Sequence, residues 1–178
     1  VARNERDRAQ RAGQPHCHQF LLFKLRERIQ HESCVKAEYL QKDENGNYSE
    51  WGCYYAHCEN HFGGRDKLDT NTTIFGHSAS NCDPNGPKFT KLFRYMDAGY
   101  VQENPYIYLS VDGEDMIFQI TAVFVTDTEF DYIRPEFETE KERTEYLETV
   151  ARKNLFAIDG VAIEDGDKLL TLSTCCTL

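Results

Sequence analysis

Nowhere in the 178 residues does an apolar run approach the roughly 18–20 positions needed to cross a bilayer. The longest early apolar run, Phe20 to Phe23, is too short even for the core of a signal peptide. Basic charge is scarce as well: 20 Lys and Arg stand against 30 Asp and Glu, a formal net charge of −10. A general nucleic-acid binder needs a basic face to neutralise phosphate, so this balance argues against that class. There is no internal repeat, which argues against stacked-repeat architectures. Nor is there an even, regularly spaced cysteine framework: seven irregularly placed cysteines predict at least one free thiol.

What is present suits one globular domain. The chain is 40% hydrophobic and 12% aromatic, long enough to bury a core without disulfide staples. Charge is divided unevenly. Residues 1–36 carry eight Lys and Arg against four Asp and Glu, a local net of +4, which leaves −14 for the rest. That shift predicts an atypical basic N-terminal arm or helix over 1–38 and a folded domain over 39–178. Residues 1–19 read as a disordered arm. Leu21, Leu22, Leu25 and Ile29 recur at helical spacing, so an amphipathic helix is expected from Phe20 to about Tyr39.

Beyond that point strand signals dominate. Cys53 to Ala56 and Thr72 to Phe75 are short strand candidates, the second ending at Gly76 with His77 next. Phe89 to Met96 is spaced for a short helix. Tyr106–Val111 and Met116–Thr126 flank Asp112-Gly113, a hairpin signal. Glu138 to Lys153 reads as a charged helix with a narrow seam of Tyr146, Leu147 and Val150, and Lys168 to Thr174 as the last strand, with Cys175 at its end. Tyr106, Tyr108, Phe118 and Phe124 are expected in the core, with one or two of them as alternative groove-lining residues. Many strands with few helices predict a mostly β protein, a barrel or closed sheet carrying helical insertions.

Two strand ends hold reactive groups. Most cysteines behave as inert small hydrophobes. A thiol at the open end of a strand beside an imidazole is different, because a free thiol is only a few per cent ionised near neutral pH and needs a base for nucleophilic attack. Cys175 follows a strand with alternating Leu and hydroxyl residues, and His77 sits in a Gly-His-Ser turn that would fix its ring at a sheet rim.

These residues carry a resemblance. Asn71-Thr72-Thr73-Ile74-Phe75-Gly76-His77-Ser78 resembles the sortase strand that ends in the catalytic histidine. Thr171-Leu172-Ser173-Thr174-Cys175 resembles the strand that ends in the catalytic cysteine. Lys88 to Tyr95, Asn104 to Ser110 and the helix near 138–154 resemble the class B branch of that family, and residues 39–177 are covered in all. The resemblance implies a sortase-like closed β-barrel with short helices and a helical insertion before the cysteine strand. It implies a cysteine transpeptidase that cleaves a sorting motif of the N-P-x-T-N or S/N-P-x-T-G type. The acyl fragment ending in the motif's Thr would pass through a thioacyl-enzyme to a cell-wall peptidoglycan amine or a lipid-linked precursor. Cys175 would be the nucleophile and His77 the acid and base; Ser173 and Thr174 would bind or shape the substrate groove, and the Cys176 N–H would stabilise the oxyanion. No cofactor and no metal are implied. The expected state is a monomer at the outer face of a Gram-positive membrane, tethered by an N-terminal anchor upstream of Val1.

The sequence also departs from that pattern. The family places an arginine about ten positions past the cysteine, whereas Leu178 is three residues past Cys175, and Arg65, Arg94 and Arg134 do not match the position. The final strand is therefore expected to be missing, leaving an unpaired barrel edge. Residues 1–38 lack the family's Gly-Trp and Tyr-Pro strands. The alternative reading is a catalytically impaired sortase-like domain or fragment that binds sorting peptides without turnover. Cys53, His57, Cys58 and His61 lie close together, but Cys-x4-Cys is a poorer zinc pattern than paired Cys-x2-Cys. The acidic residues Asp127, Glu129 and Asp131 read as a solvated surface in preference to a calcium site.

Overall fold

Apolar alternation and β-branched residues build six strands: Cys17–Leu25 (β1), Tyr55–Ala56 (β2), Asn71–Phe75 (β3), Tyr106–Val111 (β4), Glu114–Thr126 (β5) and Lys168–Cys176 (β6). The structure is a computed structural model that describes residues 17–25, 40–43, 45–79, 81–127 and 129–176, with 17–25 and Cys176 as backbone alone. The strands form one sheet in the order β2-β3-β6-β1-β5-β4. β3, β6, β1 and β5 run parallel to their neighbours, and the edge strands β2 and β4 pair antiparallel. Asp112 and Gly113, both at positive φ, make the turn between β4 and β5 as their sequence requires.

Three expectations need correction. Phe20 to Leu25 is strand, not helix; the remainder of the expected helix, and most of the expected arm, lie outside the described residues. The physical reason is that a short run such as Phe20-Leu21-Leu22-Phe23 suits a parallel strand flanked on both sides as well as it suits a helix. Second, β6 is not an unpaired edge, because β3 and β1 flank it. Third, among the described residues the sheet is open: its edges, β2 and β4, do not pair with each other, and a two-residue β2 offers no ladder long enough to close a barrel.

The sheet is packed on both faces. One face carries Met116, Phe118, Ile120, Val123, Leu170 and Leu172 under the 3₁₀ helix Lys88–Met96 and the short helix Ala98–Glu103 (α1). The other carries Ala122, Phe124 and Leu169 under Tyr132 and the helix Glu140–Lys153 (α2), which contributes Tyr146 and Val150. Phe118 and Phe124 lie on opposite faces although their separation is even. A register shift against β1, where Gln19 pairs with Ile120 and Phe20 with Ala122, skips Thr121 and flips the phase of β5. Tyr108, expected in the core, is 70% exposed, because it points outward from the edge hairpin. α2 starts two residues after the expected Glu138, where the Thr139 hydroxyl accepts from the Glu142 N–H at 3.2 Å and caps the helix.

Candidate active site

β3 and β6 are parallel neighbours, and their ladder pairs Phe75 with Ser173. Counting two residues onward on each chain segment reaches His77, just past the end of β3, and Cys175, within β6, at the same end of the two strands. Regular pairing stops at Phe75, and other bonds continue it. The Gly76 N–H donates to the Ser173 carbonyl at 3.1 Å. The Thr174 hydroxyl, buried beneath the sheet, donates to the Gly76 carbonyl at 2.7 Å, and the Ser78 hydroxyl donates to the Cys175 carbonyl. Each strand thus holds a carbonyl of the other through a side-chain hydroxyl. The Phe89 N–H donates to the His77 carbonyl at 3.0 Å, which fixes the histidine backbone from its other side.

Gly76 is required by space. A Cβ there would lie 2.7–2.8 Å from ring carbons of Phe89 and 2.8 Å from a ring carbon of Tyr54. Those two rings pack on each other with centroids 4.7 Å apart, and they wall the turn that carries His77.

The His77 ring is half-buried. Burial pushes its pKa below the ordinary 6.5, and a hydrogen bond with the Leu40 backbone partly offsets this. Its Nε2 is buried and meets no protein partner among the described residues. Cys175 is an exposed free thiol. Two phenols lie close enough to feel a negative charge on it. Tyr132 is pushed up to about 12, first by burial, against the lowering effect of its bond to Ser173, with the Cys175 charge adding to the rise. Tyr55 is raised by burial and then by Cys175 and Cys53.

The other expected site residues fall as follows. Ser173 is buried on the Cys175 face, its hydroxyl 3.1 Å from the Tyr132 hydroxyl. Thr174 is 3% exposed, and its hydroxyl is committed to Gly76. The Cys176 backbone ends β6 beside Leu25 of β1. Arg94 is engaged by the Pro84 carbonyl and Asn85, and Arg134 by Asp131 and Glu142. Cys58 is disulfide-bonded and His61 pairs with Asp69 at 3.0 Å, so neither stands as a ready zinc ligand. Among the described residues no group of three or more His, Cys, Asp or Glu could hold a metal ion. Ser78, Tyr55 and Tyr132 were not singled out in the sequence. Ser78 follows the histidine immediately, which is the one local signal that could have found it. Tyr132 sits in an aperiodic acidic loop that gives none.

No family model matches the chain. Among curated proteins, sortase B of Listeria monocytogenes is 31% identical over 110 residues, which are 62% of this chain and 43% of that protein. The solved structure of sortase B from Listeria monocytogenes superposes with a TM-score of 0.66 at 25% identity, covering 85% of this chain and 79% of that one. The chain is a relative of the class B sortases. A sortase B–substrate complex of Staphylococcus aureus has the same fold, with a TM-score of 0.70 at 23% identity, covering 79% of this chain and 62% of that one. The chain spans about two fifths of the length of the curated sortases it matches. Among the described residues no helix is long and apolar enough to cross a membrane.

Proposed function

We propose that this chain carries the cysteine site of a sortase-type transpeptidase, with Cys175 as nucleophile and His77 as its acid and base. The observation that carries the reading is the reciprocal bonding of Gly76-His77-Ser78 to Ser173-Thr174-Cys175, which continues the β3–β6 pairing to the two reactive residues. A neutral imidazole beside an exposed thiol can take the thiol proton as sulfur attacks a carbonyl.

The substrate is a sorting peptide of the N-P-x-T-N or S/N-P-x-T-G type. Cys175 Sγ bonds to the Thr carbonyl carbon while the thiol proton passes to His77. The C–N bond then breaks as His77 returns that proton to the leaving amine, and a thioester remains. An incoming peptidoglycan amine attacks the thioester and gives its proton to His77. The C–S bond breaks and the sulfur recovers the proton. The Cys176 N–H is the proposed oxyanion donor. Ser173 and Tyr132, buried against each other on the Cys175 face, back the groove, and Thr174 supports the site from below. The acyl donors are secreted proteins, and the work takes place at the outer face of the membrane.

Incubation with a quenched N-P-Q-T-N peptide, with and without a peptidoglycan-like amine, tests this. The parent chain is expected to cleave the peptide and to join the amine, and Cys175→Ala to do neither. Cleavage that persists in Cys175→Ala removes the nucleophile assignment. Peptide binding without cleavage by the parent chain favours a non-turnover domain.

A further inference from the structure

The loop between β5 and α2 passes across the sheet face that carries Cys175, and one side chain far from the thiol fastens it there. Asn71 opens β3, four positions before the strand's end, and is fully buried. Its Nδ2 donates to the Tyr132 carbonyl at 2.9 Å and to the Arg134 carbonyl at 3.0 Å. Its Oδ1 accepts from the Thr171 hydroxyl of β6 at 2.8 Å, and its backbone N–H donates to the Pro135 carbonyl at 2.9 Å. The Tyr146 hydroxyl from α2 donates to the same Tyr132 carbonyl at 3.1 Å. Next door, the Glu136 carboxylate accepts from the Thr70 N–H at 3.0 Å and from the Thr70 hydroxyl.

An amide is the one uncharged side-chain group that offers two donors and an acceptor in a fixed plane, which is what two loop carbonyls and a strand hydroxyl require. With Tyr132 and Arg134 pinned by their backbones, the Tyr132 phenol is delivered to Ser173, two residues before Cys175 on the same face. Thr171, Ser173 and Cys175 therefore share one face of β6, and Asn71 sits at the far end of that row.

We infer that Asn71 is a positioning residue for peptide recognition: it holds segment 131–136 on the sheet so that this segment forms one wall of the Cys175 groove. This rests on the proposed function for its consequence, though not for its geometry. Removing the amide leaves the Tyr132 carbonyl with the Tyr146 hydroxyl alone, takes the donor from the part-buried Arg134 carbonyl and the acceptor from the Thr171 hydroxyl, and frees the segment to lift.

The test has two readouts. Hydrogen exchange, measured in the unmodified chain and in Asn71→Ala, is expected to quicken about tenfold across 129–136 while the amides of α2 keep the parent rate. Kinetics with the N-P-Q-T-N peptide are expected to show KM raised about tenfold with kcat changed less than about threefold. Cys175 should still react with iodoacetamide at the parent rate. Thr171→Val, which keeps the shape of the residue and removes the hydroxyl that Asn71 accepts, should move both readouts the same way by a smaller factor. It decides the matter if Asn71→Ala does not fold. Parent-like exchange in both variants overturns the inference, and so does quickened exchange with an unchanged KM. A parent chain that cleaves no peptide defeats the proposed function instead, and exchange then decides alone whether Asn71 holds the segment.

Discussion

His77→Ala is expected to lower kcat for sorting-peptide cleavage by about 10²–10⁴-fold, the range that a positioned acid–base group contributes. The turn that carries His77 is held by the Gly76 and Phe89 backbones and by Ser78, and the imidazole adds only its bond with the Leu40 backbone, so the variant should fold and keep Cys175 exposed. The loss should therefore appear in kcat far more than in KM. The sign of the pH dependence follows from burial. With a pKa below 6.5, the His77 ring stays neutral through pH 7 and becomes protonated only as the pH falls past that ordinary value. The acid limb of kcat/KM in the parent chain should accordingly have its midpoint below 6.5. A midpoint above 6.5, or a His77→Ala variant with parent kcat, contradicts the role given to this residue. The same burial makes the neutral ring favour the folded state. Its contribution to stability is complete above about 6.5 and is lost as the pH drops toward the lowered value.

Gly76→Ala is the second large effect. The added methyl group would meet Phe89 and Tyr54 at 2.7–2.8 Å, inside normal contact, so rings or backbone must shift. Phe89 cannot move freely, because its N–H is bonded to the His77 carbonyl and its ring is packed against the core. Overpacking of this kind costs about 1–3 kcal/mol, which a denaturant midpoint resolves. The functional loss should be larger than that stability loss suggests. The Gly76 N–H and carbonyl carry two of the three bonds between β6 and the histidine turn, and a displaced backbone shifts His77 relative to Cys175. A misplacement of about 1 Å can cost on the order of 10²-fold in rate. Gly76→Ala/Phe89→Leu, which makes room, should recover part of both. An alanine variant with parent stability and parent rate would show that the crowding at this turn is unimportant.

The two ends that matter were legible because each is written locally. Thr72 to Phe75 is β-branched and aromatic and stops at a glycine; Leu170 and Leu172 alternate with hydroxyl residues up to Cys175. The hairpin at Asp112-Gly113 and the charged helix expected over Glu138 to Lys153 were legible for the same reason, though not the Thr139 cap that starts the helix. What joins the ends was not. Parallel pairing of β3 with β6 spans nearly a hundred residues and leaves no local mark. The role of Asn71, whose amide meets a loop about sixty residues away, is invisible without that pairing. β1 reads as helix in the sequence because a four-residue apolar run has no period long enough to separate strand from helix. The flip of face within β5 comes from a skipped residue in its register with β1, so Phe118 and Phe124 could be placed in the core but not on their separate faces. Barrel closure is expected both from the many strand signals with few helices and from family likeness, yet the described strands form an open sheet.

The central claim is that Cys175 forms a thioester with a sorting peptide at a site built with His77. Intact-mass spectrometry of the chain, quenched with acid during incubation with excess N-P-Q-T-N peptide and no amine, tests it most directly. The account predicts an added mass equal to the peptide's N-terminal acyl fragment, located on Cys175 by fragmentation, released by hydroxylamine, and absent from Cys175→Ala. A peptide that is cleaved while the acyl fragment sits on another residue, or on none at any quench time, would contradict it.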